Sequence, residues 1–233
     1  MGVDAAGMTA RRQEVLGRMA EAARRAGREP GDVRLVAVSK LHPAEAVRTL
    51  FEAGQLEFGE NYVQEAEAKM AVLPPEISWH FIGHLQTNKV RNVVGRFSLI
   101  HGVDSLKLAR SLHDRAVALN VHQDILVQVN LAGEGQKSGI LEADLPPLAE
   151  FLAGATNLHW RGLMLMPPLF DDPEGARPWF ARLRGLGEAL RTGYGLPLPD
   201  LSMGMTGDFE AAIEEGATLV RIGTRIFGER ETS

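Results

Sequence analysis

The chain has 233 residues, 45% hydrophobic and 24% charged, enough for one large domain or two small ones with a buried core. Its formal net charge of −5 and lack of a long basic run argue against general nucleic-acid binding, and the absence of cysteine excludes disulfides, thiol catalysis and cysteine-held metal. Met1 to Arg12 contain no apolar leader and no apolar stretch approaches a membrane span, so a cytoplasmic protein is expected.

A first helix is predicted from about Thr9 to Gly27, where Val15, Leu16, Met19, Ala22, Ala23 and Ala26 recur at helical spacing. Strand-like runs follow near Leu35–Val38, Leu56–Phe58, Trp79–Ile82, Ser98–His101, Ile125–Val129, His159–Leu165, Asp200–Ser202 and Leu219–Ile222. Amphipathic stretches separate them, among them Ala44–Ala53, Tyr62–Met70, Leu106–Ala118, Ala176–Leu190 and Phe209–Glu215. This alternation predicts an α/β fold, a (β/α)8 TIM-type barrel with an extra N-terminal helix, spanning 1–233 as a single domain. The competing fold is an open doubly wound sheet, but no G-x-G-x-x-G follows the first strand.

In a barrel the active site lies at the C-terminal ends of the strands. Lys40 ends the apolar run that begins at Val33, and strand alternation puts Val36, Val38 and Lys40 on one face. Burial disfavours an ammonium, and a neutral amine is a nucleophile that carbonyl compounds trap as a Schiff base. The plainer alternative is a lysine that snorkels to solvent. After strand two, Asn61 either bonds a ligand oxygen or caps the following helix. His80, in strand three, is a ligand contact or a satisfied core histidine. His80 and His84 do not form a two-histidine metal face, because an apolar strand and Gly83 lie between them.

The loops after strands seven and eight hold Ser202, Met203 and Gly204, then Gly223 and Thr224. Small residues and hydroxyls there suit a phosphate bound by backbone N–H groups, or they form two ordinary capped turns. Arg221 interrupts an apolar strand. It needs either a structural carboxylate, with Glu57, Glu60 or Asp104 as candidates, or an acceptor on a bound cofactor.

These segments carry a resemblance. Ala37-Val38-Ser39-Lys40, Phe58 to Glu65, Trp79 to Gly83, Lys137-Ser138-Gly139, Gly162-Leu163-Met164, Leu201 to Met205 and Val220 to Gly228 resemble, in collinear order, the pyridoxal-phosphate homeostasis proteins of the YggS/PROSC family. The resemblance covers about Val33 to Arg230. It implies a barrel like the N-terminal domain of alanine racemase, with pyridoxal 5'-phosphate held as a Schiff base on Lys40. It further implies phosphate against Ser202 to Gly204 and Gly223-Thr224, and Arg221 facing the pyridine nitrogen. Thr206 stands where many relatives carry serine, which keeps a hydroxyl.

The implied function is a carrier and buffer of pyridoxal phosphate without catalysis of its own. It would release the cofactor to apo forms of pyridoxal-phosphate enzymes. An arginine at the ring nitrogen weakens the cofactor as an electron sink, and the related racemases complete their sites with a second domain and a partner's tyrosine. A monomer without nucleic-acid or membrane partners is expected. The rivals are a weak amino-acid racemase on the same cofactor and a Schiff-base aldolase, which leaves Arg221 without a role. Lys137, in a glycine-rich loop, is either a second amine that accepts the departing aldehyde or a solvated surface charge.

Overall fold

The computed structural model describes residues 3–135 and 138–228. Its eight strands are β1 (Arg34–Val38), β2 (Glu57–Glu60), β3 (Ser78–Phe81), β4 (Leu99–Val103), β5 (Gln123–Val129), β6 (Leu158–Leu165), β7 (Asp200–Ser202) and β8 (Leu219–Ile222). They pair in parallel, in chain order, and β8 closes on β1 through Val36↔Arg221 and its neighbours. The eight-stranded parallel barrel expected from the sequence is therefore present.

Strand alternation divides the apolar residues between two cores. Val36, Leu99, Leu126, Met164 and Leu219 fill the barrel interior. Leu35, Ala37, Phe58, Trp79, Phe81, Ile125, Val127, Leu163, Val220 and Ile222 face outward into a larger layer beneath the helices. Those helices are α1 (Ala5–Arg25), α2 (Ala44–Glu52), α3 (Val63–Met70), α4 (Leu106–Leu119), α5 (Leu145–Gly154), α6 (Arg177–Tyr194), α7 (Phe209–Glu214) and α8 (Thr224–Phe227). None of the described helices is long and apolar enough to cross a membrane.

The leading helix α1 starts at Ala5, four residues before the expected Thr9, because Asp4 caps it by accepting from the Gly7 N–H at 3.0 Å. It packs against α2, α7 and α8. Its buried Arg12 donates to Gln55 Oε1 and to the carbonyls of Ala53 and Gly54, closing the end of α2. One segment departs from a regular strand-helix alternation, and another keeps it without an amphipathic pattern. After β3 the chain forms a 3-10 helix, Thr87–Asn92, not an α-helix. Leu145–Gly154 is helical although its sequence shows no polar face to mark it, and buried Leu145, Leu148, Ala149 and Leu152 explain why it is stable.

Candidate functional site

The mouth of the barrel, at the C-terminal ends of the strands, encloses a cavity of about 170 Å³. Lys40 and Arg221 line it with Asn61, Gly223 and Thr224, and so do Val38, His42, Ile82, Met166, Met205 and Thr206. Five residues singled out in the sequence thus meet at one place, although they come from three widely separated segments.

Lys40 follows β1 by two residues, and Val36 on the same strand is an interior residue. The chain turns sharply just beyond it, with Leu41 in the left-handed region at φ 64°. Helix α3 braces this turn. Buried Lys69 donates to the Ser39 carbonyl at 2.7 Å, to Glu60 Oε1 at 2.6 Å and to Glu65 Oε1 at 2.7 Å. Ser39 Oγ donates to Glu60 Oε1 at 2.6 Å, and the Leu41 N–H donates to Glu65 Oε1 at 2.5 Å. Burial pushes the Glu60 carboxyl up, against the opposing pull of Lys69 and Ser39.

Arg221 projects inward from β8 and is 4% exposed. It forms no ion pair with Glu57, Glu60 or Asp104 among the described residues. Instead its Nη1 donates to Ser202 Oγ at 2.6 Å and its Nη2 to the Leu165 carbonyl at 2.9 Å. Burial pulls its pKa down to about 10, opposed by the charge of Asp208, so the guanidinium remains charged at neutral pH.

The residues lining this cavity do not include His80, Ser202, Met203 or Gly204. Ser202 is fully buried and engaged by Arg221 and, at 2.9 Å, by His101 Nδ1. The Met203 side chain belongs to the outer core. Gly204 sits at φ 92°, where an added Cβ would stand 2.6 Å from the Cβ of Ala212. It lets β7 turn closely under α7. His80 is a core histidine whose Nδ1 lies 3.0 Å from His101 Nε2. Lys137 lies outside the described residues. The sequence reading missed His101, Lys69, Met166 and Met205. A signal existed for His101, since it shares the inward face of β4 with Leu99 and so places a polar group inside an apolar barrel.

The donor set suits a small aromatic aldehyde phosphate. It offers a primary amine, a fixed cation and a turn of small residues opening α8. Asn61 also lines the cavity, and its buried Oδ1 has no hydrogen-bond partner among the described residues.

Comparison with known proteins points the same way. Residues 15–231 match the family model described as the alanine racemase N-terminal domain. The chain is 45% identical over 222 residues to the pyridoxal phosphate homeostasis protein of Aquifex aeolicus (strain VF5), covering 95% of this chain and 97% of that one. It is 47% identical over 221 residues to the protein of the same name from Pseudomonas aeruginosa, covering 94% of each. Among solved structures it resembles PipY of Synechococcus elongatus PCC7942 with pyridoxal phosphate bound. That likeness has a TM-score of 0.81 and 41% identity, over 90% of this chain and 100% of the other.

Proposed function

The chain belongs to the pyridoxal phosphate homeostasis protein family, built on the alanine racemase N-terminal domain, and from that premise we propose that it binds pyridoxal phosphate at the barrel mouth and carries it on Lys40. The observation that carries this reading is the cavity in which Lys40, Arg221, Asn61 and the Gly223-Thr224 turn converge. Bound there, the cofactor supplies an aldehyde that condenses with a lysine amine, a basic ring nitrogen and a phosphate.

The chain's own residues divide the work. Lys40 presents the amine. Arg221 keeps a permanent positive charge on one wall and disfavours a proton on a ring nitrogen beside it. Gly223 and Thr224 open α8 and offer backbone N–H groups and a hydroxyl to an anion. Asn61, on the cavity wall, carries a side-chain amide that can donate to a ligand oxygen. Ser202 contributes by holding Arg221 with its hydroxyl rather than by touching the cofactor, and Gly204 by fixing the turn above β7.

The protein acts as a carrier that lends the cofactor to apo-enzymes, as a cytoplasmic monomer. Racemisation needs a second acid or base opposite the lysine. Neither tyrosine supplies it: Tyr62 lines a neighbouring cleft, and Tyr194 packs on Trp160. The test is covalent. Loaded protein reduced with borohydride and digested is expected to carry the adduct on the peptide containing Lys40, and Lys40→Ala is expected to lose the visible band. A mutant that keeps the full band, or an adduct on another peptide, overturns the assignment. Pyridoxal is expected to bind far more weakly than its phosphate, since each lost charge-assisted hydrogen bond is worth about 1.5–3 kcal/mol.

A further inference from the structure

We propose that His101 and His80 are positioning residues for Arg221, joined with Ser202 in one polarised hydrogen-bond chain, its far end facing the Glu57 carboxylate, that holds the guanidinium at the ring edge of the bound cofactor. The role rests on the cofactor reading above; the chain itself rests on donor and acceptor chemistry alone.

The order of the links follows from Arg221. A guanidinium only donates. Its Nη1 bonds Ser202 Oγ at 2.6 Å, so that oxygen accepts. Ser202 has one proton of its own and is fully buried, and His101 Nδ1 lies 2.9 Å away. The hydroxyl therefore donates to Nδ1. A neutral imidazole has one donor and one acceptor, so His101 carries its proton on Nε2. That N–H donates to His80 Nδ1 at 3.0 Å. His80 then also carries its proton on Nε2, which faces Glu57 Oε2 at 3.5 Å. Glu57 Oε2 is buried and has no hydrogen-bond partner among the described residues, so an N–H facing it is attracted. The reverse order would set an imidazole lone pair against that carboxylate oxygen and deprive the Ser202 proton of its acceptor.

The electrostatics agree. His80 is pushed down to about 3 by burial, with the charge of Arg34 adding to it. His101 is pushed well below its ordinary value by burial, with His80, Arg221 and Arg34 adding. Both rings are neutral, as the chain requires. Its far end is anchored outside the interior, because Glu57 Oε1 accepts from Arg34 at 3.3 Å and Arg34 also holds Asp200 at 3.0 Å. From Arg221 to His80 every bond in the chain needs the right proton at both ends, so each link fixes its neighbours. Without His101, Ser202 is free to turn and Arg221 is drawn toward Asp208, the carboxylate whose charge acts on it.

Two measurements test this. Ring-nitrogen NMR of the unloaded protein with isotope-labelled histidine is expected to show His80 and His101 as neutral Nε2–H tautomers from about pH 6 to about pH 8. An Nδ1–H tautomer or an imidazolium at either position overturns the chain. The second compares pyridoxal phosphate with the analogue that has C–H in place of the ring nitrogen. His101→Leu is expected to weaken the cofactor about tenfold, the size of one hydrogen bond to a charged group, and the analogue by less than about twofold. His101→Gln, which keeps one acceptor and one donor, is expected to restore most of the difference. If His101→Leu does not fold, Ser202→Ala is expected to give the same selective loss. Equal weakening of both ligands marks a merely structural role and overturns the proposal. If Arg221→Met discriminates between the ligands and His101→Leu does not, the relay fails while the cofactor reading stands. If the wild type binds neither ligand, both fall together.

Discussion

Lys69 illustrates how a residue remote in appearance governs one at the site. Its ammonium is almost fully buried and bridges Glu60, Glu65 and the Ser39 carbonyl. Two of these partners grip the residues on either side of Lys40, at Ser39 and Leu41. Removing the cation leaves two carboxylates crowded together without compensation, which costs about 3–5 kcal/mol at buried pairs. Lys69→Met is therefore expected to lower unfolding stability in urea by that amount and to weaken pyridoxal phosphate. A loss below about 1 kcal/mol would show that the cluster is already relaxed by solvent. Lys40 and Arg221 were legible in sequence because one closes an apolar run and the other interrupts an apolar strand, where a charge needs a reason. Lys69 was not, since a lysine on an amphipathic helix reads as solvated. The Ser202 partnership was equally hidden: His101 and Ser202 stand 101 positions apart, and only barrel closure brings them to 2.9 Å.

At the scale of elements, the strands were legible because parallel strands buried on both faces read as short apolar runs. The gaps have local causes: the segment after β3 is too short of apolar periodicity for more than a 3-10 turn, and α5 is too apolar to show a face. A subtler feature lies between β5 and β6, where the register shifts between Ile125 and Leu126. Arg161 is the extra residue, and Gly162 re-enters the ladder at φ 150°. A Cβ there would stand 1.9 Å from the Asp200 carbonyl oxygen on β7. Gly162→Ala must push β7 aside or break the β6–β7 pairing. Backbone strain and overpacking each cost about 1–3 kcal/mol, so a loss of at least about 2 kcal/mol is expected in denaturant unfolding. Gly17→Ala is the control. It lies exposed in α1 with nothing within 4 Å of a new Cβ, and is expected to stabilise by about 0.5–1 kcal/mol through helix propensity. Similar effects from both substitutions would show that the close approach at Gly162 carries no constraint.

Over the whole molecule, the barrel separates its charges by height. Arg34, Glu57, Asp124, Arg161 and Asp200 form an ion-pair network at the N-terminal end of the strands, while the amine and Arg221 face the cavity at the other. His80 and His101 connect the two as neutral rings. That neutrality makes folding depend on pH in a direction that follows from linkage. Both histidines have folded pKa values depressed below the ordinary 6.5, His80 to about 3. Their contribution is fully present above about pH 6.5, where folded and unfolded chains are equally unprotonated. As pH falls below that, the unfolded chain takes up two protons that the folded barrel refuses, and stability drops by about 1.4 kcal/mol per pH unit for each ring. Glu57, Glu60 and Asp208 act with the opposite sign. Burial raises their folded pKa values, so their contribution is present at low pH and lost as pH rises through those values. The net curve mixes both groups, but the difference between wild type and His101→Gln isolates one imidazole. Urea unfolding from about pH 6 to about pH 4 is expected to give a shallower acid slope for the variant, by about 1.4 kcal/mol per unit. An unchanged slope would mean that His101 is protonated in the folded barrel, and a charged imidazole there could not accept the Ser202 proton that fixes Arg221.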